Sequence, residues 1–373
     1  KSKDKPVFTD VTDQVCPELA AIGLISDAHW TDFNGDNQPD LLLAGEWMPL
    51  TFLQNEGGKL KNVTTQTGIS DKTGWWTSLA AADFDNDGDV DYTAGNFGEN
   101  VYYKCQSGEP LSIYAKDFDG NGFYDPFISC FWPDSAGNRH EYLYNSRDDI
   151  LKQLIKIRKR FNTYGALGEA TVQDIFKPED LKDAQIMHVD WMSTSFIENL
   201  GGGRFKISAL PAEAQVAPVQ GMLPYDVDHD GLLDLLMVGN DYGMELLQGR
   251  ADAFCGLVLK NMGKNVFQPL DLEKSRFYVP YNARGLARLN LGGQTELILA
   301  TQHGGPLKIF APRMAAGMAI TLRTNEAKAV ITLKNGAQRV QELYWGSTFM
   351  SQESRTVWMD GNVRDVSFFD RNN

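Results

Sequence analysis

Short apolar runs alternate with polar turns along most of the chain, and the runs are the length of single strands. Examples are LLLAG at residues 41–45 and LLMVG at residues 235–239. Runs of this length that are bounded by Gly, Asn and Asp are typical of buried β-strands. None approaches the roughly 20 residues that span a bilayer. The pattern therefore predicts an all-β protein without a transmembrane segment.

A nine-residue acidic segment precedes four of these runs. The segments are DFNGDNQPD at 32–40, DFDNDGDVD at 83–91, DFDGNGFYD at 117–125 and DVDHDGLLD at 226–234, and they are called loops one to four. Oxygen-bearing side chains stand at positions 1, 3, 5 and 9 of each loop. Alternate side chains of a tight turn can converge on a hard cation that takes about six to eight oxygen ligands, which favours Ca2+ over Mg2+.

The predicted metal ligands are positions 1, 3, 5, 7 and 9 of each loop. They are Asp32, Asn34, Asp36, Gln38, Asp40, Asp83, Asp85, Asp87, Asp89, Asp91, Asp117, Asp119, Asn121, Phe123, Asp125, Asp226, Asp228, Asp230, Leu232 and Asp234. An EF-hand needs Glu at position 12, where these loops are apolar. One copy could be a polar hairpin turn, but four in register favour up to four structural Ca2+ ions. Loop one is expected to be the weakest, because Asn37 replaces Gly and Pro39 stiffens the turn.

A second hairpin follows most of the loops, so each unit is predicted to be a meander of up to four antiparallel strands. Several such sheets packed around an axis form a β-propeller. We predict about five blades over residues 1–312, with six or seven also compatible with the repeats. An eroded copy at 288–296 keeps the strands without the acids. The strand-like residues 7–12 are expected to close the propeller by completing the final blade.

The periodicity changes to helical at about residues 146–182. Residues 148–161 have one apolar stripe, Ser146 is a candidate N-cap, and a second short helix is expected at 171–176. We place this helical insert in the third blade. After residue 312 the loops stop, and residues 313–373 predict a small β domain with hairpin turns at Asn335-Gly336 and Asp360-Gly361.

Composition and charge exclude several classes of function. The 373 residues include 49 acidic and 35 basic side chains, and the net charge of −14 would repel phosphate backbones. We therefore expect no nucleic-acid partner. Four cysteines, Cys16, Cys105, Cys130 and Cys255, lack metal-binding spacing and are compatible with two disulfides or with free thiols. Because the chain starts at Lys1 without a leader, any export signal or lipid anchor is expected to be removed or to lie upstream.

Turns at the opposite ends of the strands are expected to form a ring on the face away from the loops. The candidate ligand-binding residues of this ring are Glu46, Trp47, Trp75, Trp76, Asn96, Trp132, Asn240, Asp241, Tyr242, Arg284 and His303. Aromatic rings beside amides and acids suit stacking on a sugar or anchoring of a protein partner. For any single Trp of this set, packing between sheets is the favoured alternative.

The loops with their apolar exit strands resemble the FG-GAP or VCBS repeats of integrin-like propellers. Residues 330–352 (VITLKNGAQRVQELYWGSTFMSQ) resemble the ASPIC/UnbV domain, although Thr348, Phe349 and Met350 depart from its usual Gly-Tyr-Leu. This pairing of domains is similar to the cartilage acidic protein family, and the helical insert to its surface or periplasmic versions in Bacteroidetes. The resemblance implies an extracytoplasmic protein, whether periplasmic, cell-surface or secreted, that can be part of a longer lipoprotein.

Three functions follow as hypotheses. The first is a non-catalytic, calcium-stabilised module that binds a glycan or a protein. The second is a polysaccharide-active enzyme, a lyase or glycosidase, which rests on analogy with other propellers. The third is a scaffold subunit of a surface complex that contacts partners through the helical insert or the C-terminal domain. The first is favoured because the chain has no HExxH, GxSxG or phosphate-loop motif.

Overall fold

The computed structural model describes residues 8–244, 249–292, 295–314, 316–347 and 349–370. The strands, β1 to β24 in chain order, are Leu24–Thr31, Asp40–Pro49, Thr51–Asn55, Leu60–Asn62, Thr73–Ala82, Asp91–Asn96, Leu111–Lys116, Asp125–Pro133, Arg139–Leu143, Gln185–Val189, Ser195–Asn199, Phe205–Ala209, Val219–Tyr225, Asp234–Gly239, Leu257–Asn261, Phe267–Leu270, Ala283–Asn290, Glu296–Gln302, Lys308–Phe310, Met318–Thr321, Glu326–Leu333, Gln338–Glu342, Thr356–Met359 and Val363–Asp370. The α-helices, α1 to α5, are Thr12–Val15, Arg147–Gln153, Tyr164–Gly168, Val172–Ile175 and Leu272–Ser275. Short 3-10 helices are Pro17–Ala21, Thr64–Gln66, Ile155–Lys159 and Ala212–Gln215.

Four antiparallel sheets follow one another along the main body. Sheet A contains β1–β4, sheet B contains β5, β6, β11 and β12, sheet D contains β13–β16, and sheet E contains β17–β19. The first strands of these sheets pack side by side, and β2 also pairs with β5, which joins sheets A and B into one curved sheet. The prediction of an all-β protein is confirmed, and the arrangement is compatible with a β-propeller-like fold.

Sheet B is interrupted by a long insertion. Strand β6 pairs with β11, with Ala94 opposite Ser195, although about a hundred residues separate the two strands. The intervening chain forms sheet C, in the order β10-β7-β8-β9, together with α2–α4, and loop three connects β7 to β8 within it. The helical insert predicted at about 146–182 contains α2–α4 and lies between two strands of sheet C, the unit of loop three. The sequence analysis did not foresee that this whole unit is inserted between two paired strands of sheet B.

Local capping signals define the helices of the insertion. Ser146 caps α2, and its Oγ accepts the N–H of Asp149 at 3.3 Å, as predicted. Thr171 and Asp174 form a capping box around α4. The predicted helix over 148–161 is divided, because Leu154 leaves the helical conformation and a 3-10 segment follows. Apolar side chains of α2 and α4 cover Phe127 of sheet C.

The predicted N-terminal strand is wrong for the residues that the structure describes. Val7 lies outside them, residues 8–11 form no strand, and helix α1 begins at Thr12. The carboxylate of Asp10 accepts both the N–H and the O–H of Thr12, at 2.9 and 2.7 Å. Such local side-chain bonds compete with strand pairing and favour a helical turn.

The C-terminal β unit, residues 318–370, has a core of its own but does not stand apart. Strand β20 pairs with β23, and β21 lies between β22 and β24. Leu322, Ile331 and Val357 are buried in its core. The side chain of Val340 leaves that core and joins the cluster under sheets A and B, so the unit is packed against the main body.

An asparagine at the end of the third strand of sheet B, and another at the same place in sheet D, connect each sheet to its neighbour. Nδ2 of Asn199 donates to the carbonyl of Phe33 in loop one at 3.3 Å. Nδ2 of Asn261 donates to the carbonyl of Phe84 in loop two at 2.7 Å. Sheets A and B, and sheets B and D, are therefore linked by the same buried amide contact.

We expect Asn261→Ala to lower the free energy of unfolding by about 1–3 kcal/mol, because it leaves buried carbonyls without a donor. Asn55 is the matched control: it makes the same contacts within its own sheet, to the Pro39 carbonyl and the Gly58 N–H. Chemical denaturation should give a clearly smaller loss for Asn55→Ala. Equal losses would show that the inter-sheet bond contributes nothing.

Candidate functional site

Acidic side chains lie close together in three of the four loops. Carboxylate atoms that lie within 4.8 Å of one another come from Asp83, Asp85 and Asp87 in loop two, from Asp117, Asp119 and Asp125 in loop three, and from Asp226, Asp228 and Asp230 in loop four. A set made only of oxygen atoms suits a hard cation. These three loops therefore offer the donor chemistry that calcium requires.

The first Asp of each loop shapes the turn through backbone hydrogen bonds. Oδ2 of Asp83 accepts the N–H of Gly88 at 3.1 Å, and Gly88 has a φ of 97°. Loops three and four repeat this contact with their own glycines. In loop one Asn37 takes the position with a φ of 64°, and its N–H donates to Asp32 Oδ2 at 2.9 Å. Asn tolerates this conformation better than other non-glycine residues.

The last Asp of the loop has a second role, which the sequence analysis missed. In loop two, Asp91 accepts the N–H groups of Asn199 at 2.8 Å and Phe84 at 3.4 Å. In loop four, Asp234 does the same with Asn261 and Val227, at 2.8 and 2.9 Å. A visible signal was the Asn before each Gly-containing turn, in NEGG, NLGG and NMGK. Each carboxylate oxygen keeps a second lone pair, so metal ligation stays compatible with these bonds.

Loop two has several buried carboxylate oxygens without a hydrogen-bond donor among the described residues. The Oδ1 atoms of Asp83, Asp85 and Asp89 are buried, and within the described chain they accept no hydrogen bond. Asp83 is 0 % exposed. Among the same residues, no Lys or Arg lies within 4.0 Å of a carboxylate of this loop. Buried carboxylate oxygens without a donor are costly, so the geometry fits a bound cation.

Basic side chains partly neutralise loops one and four. Lys328 Nζ lies 3.6 Å from Asp32 Oδ2. Lys260 bonds Asp228 directly and lies 3.5 Å from Asp230. Loop three is exposed, with Phe123 and Tyr124 directed to solvent. Loop two is therefore the strongest candidate metal site of the four.

Burial raises the pKa of Asp83 and Asp89 to about 7, and that of Asp91 to about 8. The charges of neighbouring loop carboxylates add to this effect. A carboxyl group whose pKa is raised by folding stabilises the protein below its unfolded pKa of about 4, and that contribution is lost as pH rises through the folded value. A cation in the loop would offset this loss because it favours the ionised form.

In the presence of a chelator, we therefore expect the unfolding temperature to fall between about pH 4 and pH 8. Excess Ca2+ should remove or reverse this fall. Asp89→Asn should flatten the profile in chelator, because it removes one titrating group, whereas Asp119→Asn in the exposed loop three should leave it unchanged. A profile that is the same with and without Ca2+ would contradict a cation in loop two.

A pocket of about 520 Å3 is bordered by the first strands of the four sheets. Each of these strands has a shift of register where it meets its neighbour, at Ser26, Thr77, Gln220 and Arg284. All four residues line the pocket. Bulges of this kind redirect side chains and are common beside functional sites. The repeated bulge therefore makes this pocket the candidate ligand site.

Four of the predicted ligand-binding residues meet in this pocket: Glu46, Trp75, Asp241 and Arg284. Glu46 and Trp75 are cross-strand neighbours on β2 and β5. Arg284 Nη2 lies 3.3 Å from Asp241 Oδ1. Burial raises the pKa of Glu46, and the charge of Asp241 adds to this, while a hydrogen bond from Trp75 opposes it. The pocket has both polar and apolar side chains in its lining, and its charged groups are of both signs.

Several other predicted residues are structural. Trp76, Asn96 and Asn240 are all 0 % exposed. Nδ2 of Asn240 donates to the carbonyls of Phe254 and Tyr281, at 2.7 and 3.0 Å. None of the three residues lines the pocket, so the structure places them in the packing between strands and not at the candidate ligand site.

The aromatic residues mostly pack on one another. Trp75 stacks on Phe97 with ring centroids 4.5 Å apart, and Trp47 and Tyr103 lie at 5.1 and 5.8 Å. Trp47 is buried. Trp132, Tyr242 and His303 do not line the pocket. Trp75, Phe97 and Tyr103 thus pack on one another and also form an aromatic part of the pocket lining.

Ser26, Thr77 and Gln220 are pocket residues that the sequence analysis did not identify. Each is a polar residue inside a strand that is otherwise largely apolar, in LISDA, WWTSLA and PVQGML. That interruption is a usable signal. It does not reveal a bulge, however, because the register depends on the partner strand.

Comparison with known proteins gives one family match. Residues 32–94 match the FG-GAP-like repeat. The match spans loops one and two with the hairpin between them. No curated protein matches the chain. Within the described residues, no helix combines the length and the apolar character needed to cross a membrane.

Proposed function

We propose that the protein is a non-catalytic binding module, stabilised by Ca2+, that recognises a glycan or protein partner outside the cytoplasm. The observation that carries the binding role is the convergence of four strand bulges on one pocket that has both charged and aromatic side chains in its lining. The extracytoplasmic location rests on the resemblance of the loops and tail. We further infer that sheets A, B, D and E are consecutive propeller blades and that the C-terminal β unit is of the ASPIC/UnbV type.

The proposed calcium sites are structural. In loop two the ligands would be Asp83, Asp85 and Asp87, which offer carboxylate oxygens within 4.8 Å of one another. Asp89 would join them through its buried Oδ1, which accepts no hydrogen bond among the described residues. A cation there would relieve the repulsion between neighbouring carboxylates and fix the hairpin between β5 and β6. Loops one, three and four would bind more weakly, since two of them hold a lysine and the third is exposed.

We expect Ca2+ to raise the unfolding temperature of the chain. At a hundredfold excess over the Kd of one site, the free energy of unfolding should increase by about 2.7 kcal/mol. Asp85→Ala should reduce this shift and remove about one bound ion, measured by scanning calorimetry and metal analysis. In chelator the variant should differ from the parent by less than it does in Ca2+, because no bound ion is lost there. Asp13→Ala, at an exposed carboxylate outside the loops, is the control. An unchanged shift and ion count for Asp85→Ala would reject this metal site.

A second candidate function is favoured by one specific observation. Glu46 and Asp241 border the same pocket, and the pKa of Glu46 is raised by burial. Two carboxyl groups in different environments are the usual acid and base of a glycosidase. A polysaccharide-active enzyme is therefore the alternative to a binding module.

A panel of neutral and acidic polysaccharides separates the two functions. For a binding module of the glycan type, one polysaccharide should retard the protein in affinity electrophoresis without new reducing ends or ultraviolet-absorbing products. Arg284→Ala should weaken this retardation at least severalfold, whereas His303→Ala, outside the pocket, should not. Products that disappear in Glu46→Gln and Asp241→Asn would instead identify an enzyme. Absence of both retardation and products would leave a protein as the partner.

A further inference from the structure

The edge strand of the C-terminal β unit is hydrogen-bonded to two of the acidic loops. The N–H of Val340 in β22 donates to Asp83 Oδ2 at 2.8 Å. Two residues further on, Glu342 Oε1 accepts the N–H of Asp32 at 2.7 Å. The Val340 side chain is buried with Phe33 and Val90 from loops one and two. The unit thus contacts the first residue of each of these loops.

The two carboxylate oxygens of Asp83 differ in their hydrogen bonding. Oδ2 accepts the N–H groups of Val340 and Gly88. Oδ1 is buried and accepts no hydrogen bond in the described chain, and the same is true of Oδ1 of Asp85. One oxygen of Asp83 is therefore held jointly by the loop and by β22, while the other stays available to a cation.

We propose that strand β22 is the outer support of the metal site in loop two, so that docking of the C-terminal β unit and Ca2+ binding strengthen each other. This inference rests on the proposed function, because it takes loop two as a Ca2+ site. The Val340 N–H fixes the orientation of Asp83 and therefore the position of Oδ1. Groups that hold a metal ligand in place commonly change metal affinity by about 10–100-fold. The coupling is reciprocal, so Ca2+ stabilises the docked unit by the same factor.

The coupling between docking of the C-terminal β unit and Ca2+ binding applies to loop two and not to loop one. At loop one the same unit presents the ammonium group of Lys328, 3.6 Å from Asp32 Oδ2. A positive charge at that distance competes with a cation for the carboxylate. The C-terminal unit therefore supports loop two through a neutral N–H group, whereas at loop one it brings both the ammonium group of Lys328 and the carboxylate of Glu342 close to Asp32.

Proline at position 340 tests the support directly, because it removes the backbone N–H. An edge strand tolerates proline where the N–H faces away from the sheet. Calorimetry on the full chain should give about tenfold weaker Ca2+ binding at the site that Asp85→Asn removes. Gln338→Pro is the matched control: strand alternation places its N–H on the same edge, and among the described residues that N–H has no acceptor on a loop. Its affinity should stay within about twofold of the parent.

Hydrogen exchange tests the reverse direction without altering the C-terminal unit. In the parent chain, Ca2+ should slow exchange of the β22 amides about tenfold relative to chelator. Asp85→Asn should abolish this protection, although Asp85 is not among the loop residues bonded to β22. Asp119→Asn, the same change in loop three, should retain it. This hydrogen-exchange experiment does not depend on whether Val340→Pro folds.

The outcomes separate the two levels of the proposal. If Ca2+ binds loop two but β22 exchange is unaffected and Val340→Pro behaves like Gln338→Pro, the coupling is wrong while the calcium site stands. If Asp85→Asn removes no Ca2+ binding at all, the metal assignment fails and the coupling fails with it. Weakened binding in Val340→Pro together with Ca2+-dependent protection of β22 supports both.

Discussion

The architecture depends on one buried carboxylate at the end of each acidic loop. A buried carboxyl group needs hydrogen-bond partners, or the fold loses about 1–3 kcal/mol. Asp91 meets this need with N–H groups from its own loop and from Asn199. The amide of that asparagine then reaches the neighbouring sheet. A single carboxylate therefore fixes the turn, the third strand and the packing of adjacent sheets.

Features set by local sequence could be predicted, and those set by distant partners could not. The loops, their exit strands and the Ser146 cap depend on residues within a few positions of each other. The pairing of β6 with β11 depends on residues a hundred positions apart. The hairpin at 195–209 has the same pattern as any other second hairpin, so nothing local assigns it to sheet B.

In the candidate pocket, too, local sequence decides some features and distant partners decide others, here for single side chains. Trp75 and Trp76 are adjacent and chemically identical, yet one borders the pocket and the other is fully buried. Neighbouring strand residues face opposite sides, and a shift of one position exchanges them. Composition could therefore place aromatic and acidic residues at this end of the molecule, whereas the register of four bulged strands decides which of them a ligand can reach.

The insertion within sheet B also has a consequence for synthesis of the chain. Closing a longer loop adds little to the entropy cost of folding, which grows only with the logarithm of its length. The insertion does, however, delay pairing during synthesis. At roughly 5–20 residues per second, a ribosome needs about 5–20 seconds to make about a hundred residues. During that interval strand β6 has been made and its partner β11 has not. An unpaired strand edge is prone to join other chains, so the nascent protein passes through a period in which it is vulnerable to aggregation.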